Sequence, residues 1–505
     1  MRPFETFSNR VASAASAGWD LLSAYPASKK ARWVSGAILA LLFVAGVFWW
    51  GAFFRWGRYP MDFQDWLAVS APRFFFLRSA VIHLQLPLHM TEKSLLGGVT
   101  TRYMSIPDAF LSPQLVLLRY LSVERFIFLD IVGMYTLGFT GLLWIRKRFS
   151  LSLAAFTLLF FLFNFNGHII AHLSIGHETW GGYFLFSWFV VLMLDLLDGD
   201  HSWLWVLKVA GLLFIILLQG SYHQVVWALF FLGFISIAKK GCFIPAIKAA
   251  AATVLLGAVR FLPVTLEAGA FDQTYHGGFL SLADLWNGLV NLRAPASYVS
   301  SALYFKPLGG WEFTLYIGLA GALFLAFFGG YRWLSNRGGD RRYPALLLPI
   351  LGLTFLSFHA VFAALRGLPF PLFSGERVPA RIISVPFVFL LVLAVIEFQR
   401  WLDQERANVV PRVAVFAGVT VLTLHDLWEN LSTWSILKVQ PVFDHGILFY
   451  NKWVVANAYD DTVYIRTLII GAAISSVCLL ALLGLAWRER KRAQIVLQVI
   501  HEKTV

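Results

Sequence analysis

Apolar runs recur twelve times along this chain, at 33–54, 126–145, 151–170, 181–197, 203–219, 225–238, 243–262, 313–330, 344–365, 382–398, 413–427 and 467–486. A run of about 17 to 25 apolar residues can cross the hydrocarbon of a bilayer, and a few of these are short or interrupted. Within lipid the backbone must bond to itself, so such runs fold as helices. The expectation is an all-α polytopic membrane protein with about 12 transmembrane helices. Of 505 residues, 58% are hydrophobic and 14% charged, which excludes an ordinary soluble domain.

Short basic turns orient the spans, because lysine and arginine are retained on the cytoplasmic side. Lys29, Lys30 and Arg32 precede the first run, and Arg146, Lys147 and Arg148 follow the second. Lys239 and Lys240 follow the sixth, and Arg332, Arg337, Arg341 and Arg342 the eighth. Arg400, Arg406 and Arg412 lie after the tenth, and Arg488, Arg490, Lys491 and Arg492 after the twelfth. All share one side if both termini are cytoplasmic; the acidic loop at Asp198 and Asp200 is the exception. The chain then divides into a cytoplasmic amphipathic segment, 1–32, a membrane domain, 33–486, and a basic tail, 487–505. Three outer segments are long: 55–125, 263–312 and 428–466.

The net charge of +13 is spent on these turns, which argues against nucleic acid. Cys242 and Cys478 supply neither a disulfide framework nor a metal-ligand spacing. A secondary transporter keeps its coupling residues near the bilayer midplane. Here the polar residues gather instead at the outer ends of spans. They are Asp62 and Asp65 after the first, His168, His172, His177 and Glu178 after the third, and His223 and Gln224 after the fifth. Asp272, His276 and Glu312 follow the seventh, and Glu376, Arg377 and Arg381 the ninth. A ring of acid, imidazole and guanidinium at one membrane face describes an interfacial active site. His168 and His172 stand four apart and could share a metal on one helical face, but no carboxylate stands at a recognised spacing, and no tightly held zinc is expected. Arg377 and Arg381, also four apart, match phosphate oxygens by their guanidinium forks or snorkel at a helix end. Arginines of the first outer loop, Arg73 and Arg102 among them, read as headgroup contacts or as recognition of a lipid-linked phosphate.

The order of these motifs resembles the glycosyltransferase C superfamily of polytopic membrane enzymes, particularly the bacterial branch that includes the lipoteichoic acid-glycosylating membrane proteins. The residues that carry the resemblance begin with Asp62, Gln85-Leu-Pro-Leu-His89, Gly97-Gly98, Pro107, Gly167-His168 and His172 through Gly176-His177. Gln219-Gly220, His223-Gln224, Glu312, Tyr316-Ile-Gly318 and Arg377-Val-Pro-Ala-Arg381 complete it, from about Tyr59 to Phe398. It implies transfer of a sugar from a polyprenyl-phosphate carrier to an extracytoplasmic glycan, lipid or protein acceptor, usually with inversion, by an enzyme of the cell membrane. It also implies a first-loop carboxylate as catalytic base. Asp62 matches that position, and Asp65 is its neighbour, a helper or a contact for a divalent magnesium or manganese ion. The adjacent acidic pair of some branches is absent here. No cofactor is otherwise expected. Arg377 and Arg381 would hold the donor phosphate, and His172, His177, His223, Gln224, Asp272, His276 and Glu312 would line the substrate site. The alternatives are a flippase of lipid-linked glycans and a non-catalytic subunit with the same fold.

Overall fold

The computed structural model describes residues 18–59, 61, 65–91, 99–270, 275–293, 310–335, 343–368, 375–404, 409–435 and 454–504. Asp62, Asp272, Gly97-Gly98 and most of the N-terminal amphipathic segment lie outside the described residues. Among those described the chain is helical, with isolated bridges and no strand. The helices are α1 (Lys29–Phe53), α2 (Ala71–Ile82), α3 (Val123–Arg148), α4 (Leu153–Asn164), α5 (Gly167–Ile175), α6 (Phe186–Leu197), α7 (Trp203–Leu218), α8 (Tyr222–Ala238) and α9 (Phe243–Leu256). They continue with α10 (Ala258–Thr265), α11 (Leu282–Val290), α12 (Gly318–Phe324), α13 (Leu347–Leu356), α14 (His359–Leu365), α15 (Ser384–Gln404), α16 (Val409–Trp434) and α17 (Thr462–Thr504).

Among the described residues, eight stretches are long and apolar enough to span a membrane: Lys29–Phe53, Val123–Arg148, Leu153–Ile175, Glu178–Leu197, Gly310–Ser335, Pro379–Gln404, Val409–Trp434 and Thr462–Arg492. The chain is therefore an all-α, membrane-embedded protein. The seventh apolar run folds as Lys240–Leu256 and Ala258–Thr265, bent by 68°, and the runs at Trp203–Leu218, Tyr222–Ala238 and Pro344–Leu356 form shorter helices. The ninth run breaks at Ser357 and Phe358, where Phe279 inserts: its N–H donates to Ser357 O at 3.0 Å and its carbonyl accepts from His359 N–H at 2.9 Å. The core centres on α15, enclosed by α4, α13 and a π-helical stretch, Leu325–Arg332.

Two ends of the bundle differ in character. At one, Arg148 pairs with Asp195 and Asp198, the Tyr343 hydroxyl donates to Asp198 at 3.2 Å, and Lys239 Nζ donates to Leu197 O at 2.6 Å. Arg146 donates to Ser35 at 2.9 Å, and Glu489 accepts the Trp203 N–H at 2.6 Å, so basic turns from distant parts of the sequence meet there. Of the acidic loop that breaks the charge rule, Asp198 is paired with Arg148, and Asp200 accepts from the Ser202 N–H and hydroxyl at the start of α7.

The opposite end is shaped by a break in the third apolar run. Asn166 caps α5 by accepting from His168 N–H at 3.1 Å and Ile169 N–H at 3.4 Å, which restarts the helix as a short separate segment. Gly176 ends α5 at φ +103°, in the left-handed region. A Cβ there would stand 2.2 Å from Trp66 N and 2.7 Å from Asp65 C. Only the absent side chain lets the 65–70 turn seat on the helix end. Ser70 donates to Gly176 O and Trp66 Nε1 to Ser174 O at 3.1 Å, which fixes that seating.

Gly199 also has a left-handed φ, +100°, but has open space around it. Gly199→Ala then measures the backbone penalty alone, about 1–2 kcal/mol. Gly176→Ala should lower the melting temperature in detergent by clearly more, because the 65–70 turn must also move. Equal melting temperatures for the two variants would mean that this turn is not held as described.

Candidate functional site

One cavity of about 450 Å³ opens at the end of the bundle away from the basic turns. Its wall contains Asp65, Ser70, Arg73, Asp108, His177, Glu178, Trp180, Ser221, His223, Gln224, His276, Trp311, Glu312, Arg377 and Arg381. Seven separate segments contribute, and each enters at a helix end or at a turn beside one. Of the residues expected from sequence, Asp65, His177, His223, Gln224, His276, Glu312, Arg377 and Arg381 therefore converge. His172 lies behind the wall, fully buried.

At the centre is Asp65. His177 Nε2 lies 2.8 Å from Asp65 Oδ2, and His177 Nδ1 lies 2.8 Å from His172 Nδ1. His177 donates from Nε2 to the carboxylate, and one hydrogen is shared between its Nδ1 and that of His172, which links the three groups in one chain. Burial pushes the Asp65 carboxyl up, but the hydrogen bond and charge of His177, with Arg73 and Arg381, outweigh it and hold the group below its ordinary value. Asp65 is thus ionised at neutral pH.

An aromatic and ionic stack supports this pair from below. His172 stacks on Trp180 with centroids 4.2 Å apart and planes 4° from parallel. The Arg381 guanidinium also lies over the Trp180 ring, 5.3 Å from its centroid. Glu312 holds Arg381 by two bonds, one from Nε at 2.5 Å and one from a terminal nitrogen. The fork of Arg381 is therefore occupied within the protein, instead of standing open to a phosphate.

Arg377 has different surroundings. It donates to His276 Nε2 at 2.6 Å, and its carbonyl accepts the His276 N–H at 2.9 Å, which ties the 275–279 segment to the approach to α15. Glu376, buried beside it, accepts from Trp227 Nε1 at 2.9 Å and lies 3.1 Å from His223 Nδ1. Burial raises the Glu376 carboxyl, and the charge and hydrogen bond of His223, with Arg381 and Trp227, bring it below its ordinary value.

Arg73, Asp108 and Trp180 carry no motif signal in the sequence. Arg73 pairs with Asp108 at 3.0 Å. Burial raises Asp108, and the charge and hydrogen bond of Arg73 overcome it, leaving that carboxyl also low. Asp108 is delivered by the 104–109 loop, whose carbonyls at Met104, Ile106 and Ala109 accept from the buried Arg260 at 2.8, 2.9 and 3.2 Å. Gly220, at φ +85°, lets that loop approach, since a Cβ would stand 2.8 Å from Asp108 O. Arg102, by contrast, belongs to a structural clasp: it holds Asp461 by two bonds of 2.6 and 2.9 Å and Glu267 by one of 2.8 Å. His168 and His172 do share a helical face, with ring centroids 4.7 Å apart. Among the described residues no group of three or more His, Cys, Asp or Glu side chains is arranged to hold a metal.

The Arg381–Glu312 pair is enclosed, so removing one partner leaves a buried charge. Arg381→Met or Glu312→Gln alone should cost roughly 3–5 kcal/mol, and the double variant less than the sum. Additive losses in thermal melts would show the two groups to be uncoupled.

Asp65, Asp108 and Glu376 are all depressed, so the unfolded chain binds more protons than the folded one at low pH. Their stabilisation is complete above about pH 4, near the ordinary carboxyl range, and is lost as the pH falls through their lower folded values. Melting temperature should therefore hold from neutrality down to about pH 5 and fall steeply below about pH 4. A fall that begins just below neutrality would assign the dependence to histidines instead.

No family model, no curated protein and no solved structure matches this chain.

Proposed function

We propose that the chain is a membrane glycosyltransferase that moves a sugar from a polyprenyl-phosphate carrier to an acceptor outside the cytoplasm. The observation that carries this reading is one cavity holding an ionised, imidazole-supported carboxylate, Asp65, together with a guanidinium, Arg377, and two indoles, Trp180 and Trp311. Its volume falls in the range of small-molecule sites, about 300–1,000 Å³.

In this reading the acceptor hydroxyl gives its proton to Asp65 as its oxygen attacks the anomeric carbon. The carbon–oxygen bond to phosphate breaks with its electron pair on the phosphate. Charge that develops there meets Arg377. Trp180 and Trp311 suit the apolar faces of a sugar ring. Arg381, already paired with Glu312, serves as a platform under Trp180. The first expectation for the base, Asp62, lies outside the described residues; Asp65 takes the role because it lines the cavity. Twelve spans, cytoplasmic termini and an extracytoplasmic cavity complete the proposal, supported by the meeting of basic turns at the opposite end. A cavity at helix ends also suits transfer better than passage of a glycan across the midplane.

The test is release of labelled sugar from a panel of polyprenyl-phosphate sugars by purified protein in lipid. Asp65→Asn should lower kcat by about a hundredfold or more while the melt is unchanged. A fully active Asp65→Asn refutes this base. An inactive Asp62→Asn beside it would transfer the role to Asp62. No turnover by the parent with any donor would return weight to the flippase and subunit readings.

A further inference from the structure

A second carboxylate–imidazole pair meets the same cavity through its imidazole, His223, with its polarity reversed. In the first pair the carboxylate is presented, with the Asp65 side chain 41% exposed and His177 15% exposed behind it. In the second the imidazole is presented, with His223 34% exposed and Glu376 enclosed at 5%. Glu376 is held in place from two other directions: Oε2 also accepts from Trp227 Nε1 at 2.9 Å, and Oε1 accepts from Val378 N–H at 3.1 Å. An ionised carboxylate only accepts, so the His223 nitrogen that faces it, Nδ1 at 3.1 Å, carries the hydrogen. Nε2 is then the nitrogen left for a ligand, and no described residue bonds it. Arg377 follows Glu376 directly and lines the same wall. Asp108 approaches from the opposite loop, its carboxyl held low chiefly by Arg73 against the effect of burial, with His223 adding to it.

The geometry points to His223 as the proton donor to the departing phosphate, with Glu376 as the residue that positions its ring; this rests on the glycosyl-transfer reading. Fixing one imidazole nitrogen by a buried carboxylate directs the other at the reacting atoms, the logic by which histidine serves as a general acid. The acceptor oxygen bonds to the anomeric carbon and its proton passes to Asp65. The bond from that carbon to the phosphate oxygen breaks, the electron pair stays on the oxygen, and the oxygen takes the Nε2 proton of doubly protonated His223. The products are the new glycoside, polyprenyl hydrogen phosphate, protonated Asp65 and neutral His223. Exchange with solvent returns the proton from Asp65 to His223. The cavity would thus separate its two proton transfers, with a carboxylate for the attacking group and an imidazole beside Arg377 for the leaving one.

The experiment uses the full chain in lipid nanodiscs with the polyprenyl-phosphate sugar on which the parent is most active. His223→Ala should lower kcat about a hundredfold with KM changed by less than about threefold, and added imidazole should restore at least about tenfold of the loss. His223→Gln, whose side chain fills the space, should show the same loss without recovery. Glu376→Gln should show a smaller loss in kcat at unchanged KM, because the ring is present but no longer fixed. Parental kcat in His223→Gln, or a well-folded His223→Ala that does not respond to imidazole, would overturn the role of His223. In that case an inactive Asp65→Asn would leave the glycosyl-transfer reading in place. An inactive parent overturns both, since the proton acceptor named here is the donor's own phosphate.

Discussion

The Trp180 ring is the point on which the site's other groups depend. One face carries His172, stacked at 4.2 Å, and the Arg381 guanidinium lies 5.3 Å from its centroid. Through His172 the ring supports His177 and then Asp65; through Arg381 it is joined to Glu312. It also packs on Trp227, whose indole N–H bonds to Glu376. Charged groups taken out of water are tolerated only when they are paired and hydrogen-bonded. Here the pairs are not independent. They are laid around one indole that shields the inner members, His172, Glu376 and Glu312, from water, while Asp65 and His223 keep one side open to the cavity.

Backbone shape is what brings these groups within reach. Asn166 breaks a run that hydropathy reads as one span, and Gly176 closes the short helix that results. The 65–70 turn then rests where a side chain would otherwise stand, and Gly220 makes the same allowance for the loop carrying Asp108. Each glycine gives up the favourable burial of a side chain for a close backbone approach. Arg260 adds to this by replacing, with one guanidinium, the helical partners that the 104–109 carbonyls lack.

Much of this was legible beforehand for a simple reason. In a chain this apolar, a charged or imidazole side chain at a span end is conspicuous, so His177, His223, His276, Glu312, Arg377 and Arg381 stood out. Their partners did not. Asp108 sits alone in Ile-Pro-Asp-Ala, Arg73 is one arginine among seven in its loop, and Trp180 is one of 20 tryptophans. Nothing local marks such residues, because what sets them apart includes contact with distant groups: Arg73 and Asp108 are 35 positions apart, and Arg381 lies about 200 positions beyond Trp180. Arg381 shows the converse: its type and spacing suggested an open phosphate fork, and only the fold reveals that Glu312 fills it.

Sequence alone determined that this chain is a helical membrane protein, since the bilayer admits no other use of twelve apolar runs among so few charges. It also determined that polar chemistry would collect at span ends, because charge is costly deeper in. The tertiary structure decided which of those residues meet, which are already paired, and which face of each pair is offered to a ligand. That division has a physical origin. Transfer from water to hydrocarbon acts on each segment separately and is written in local composition. Pairing acts between segments, and is fixed only when the bends at Asn166, Gly176, Gly220 and Gly257 have set the helix ends beside one another.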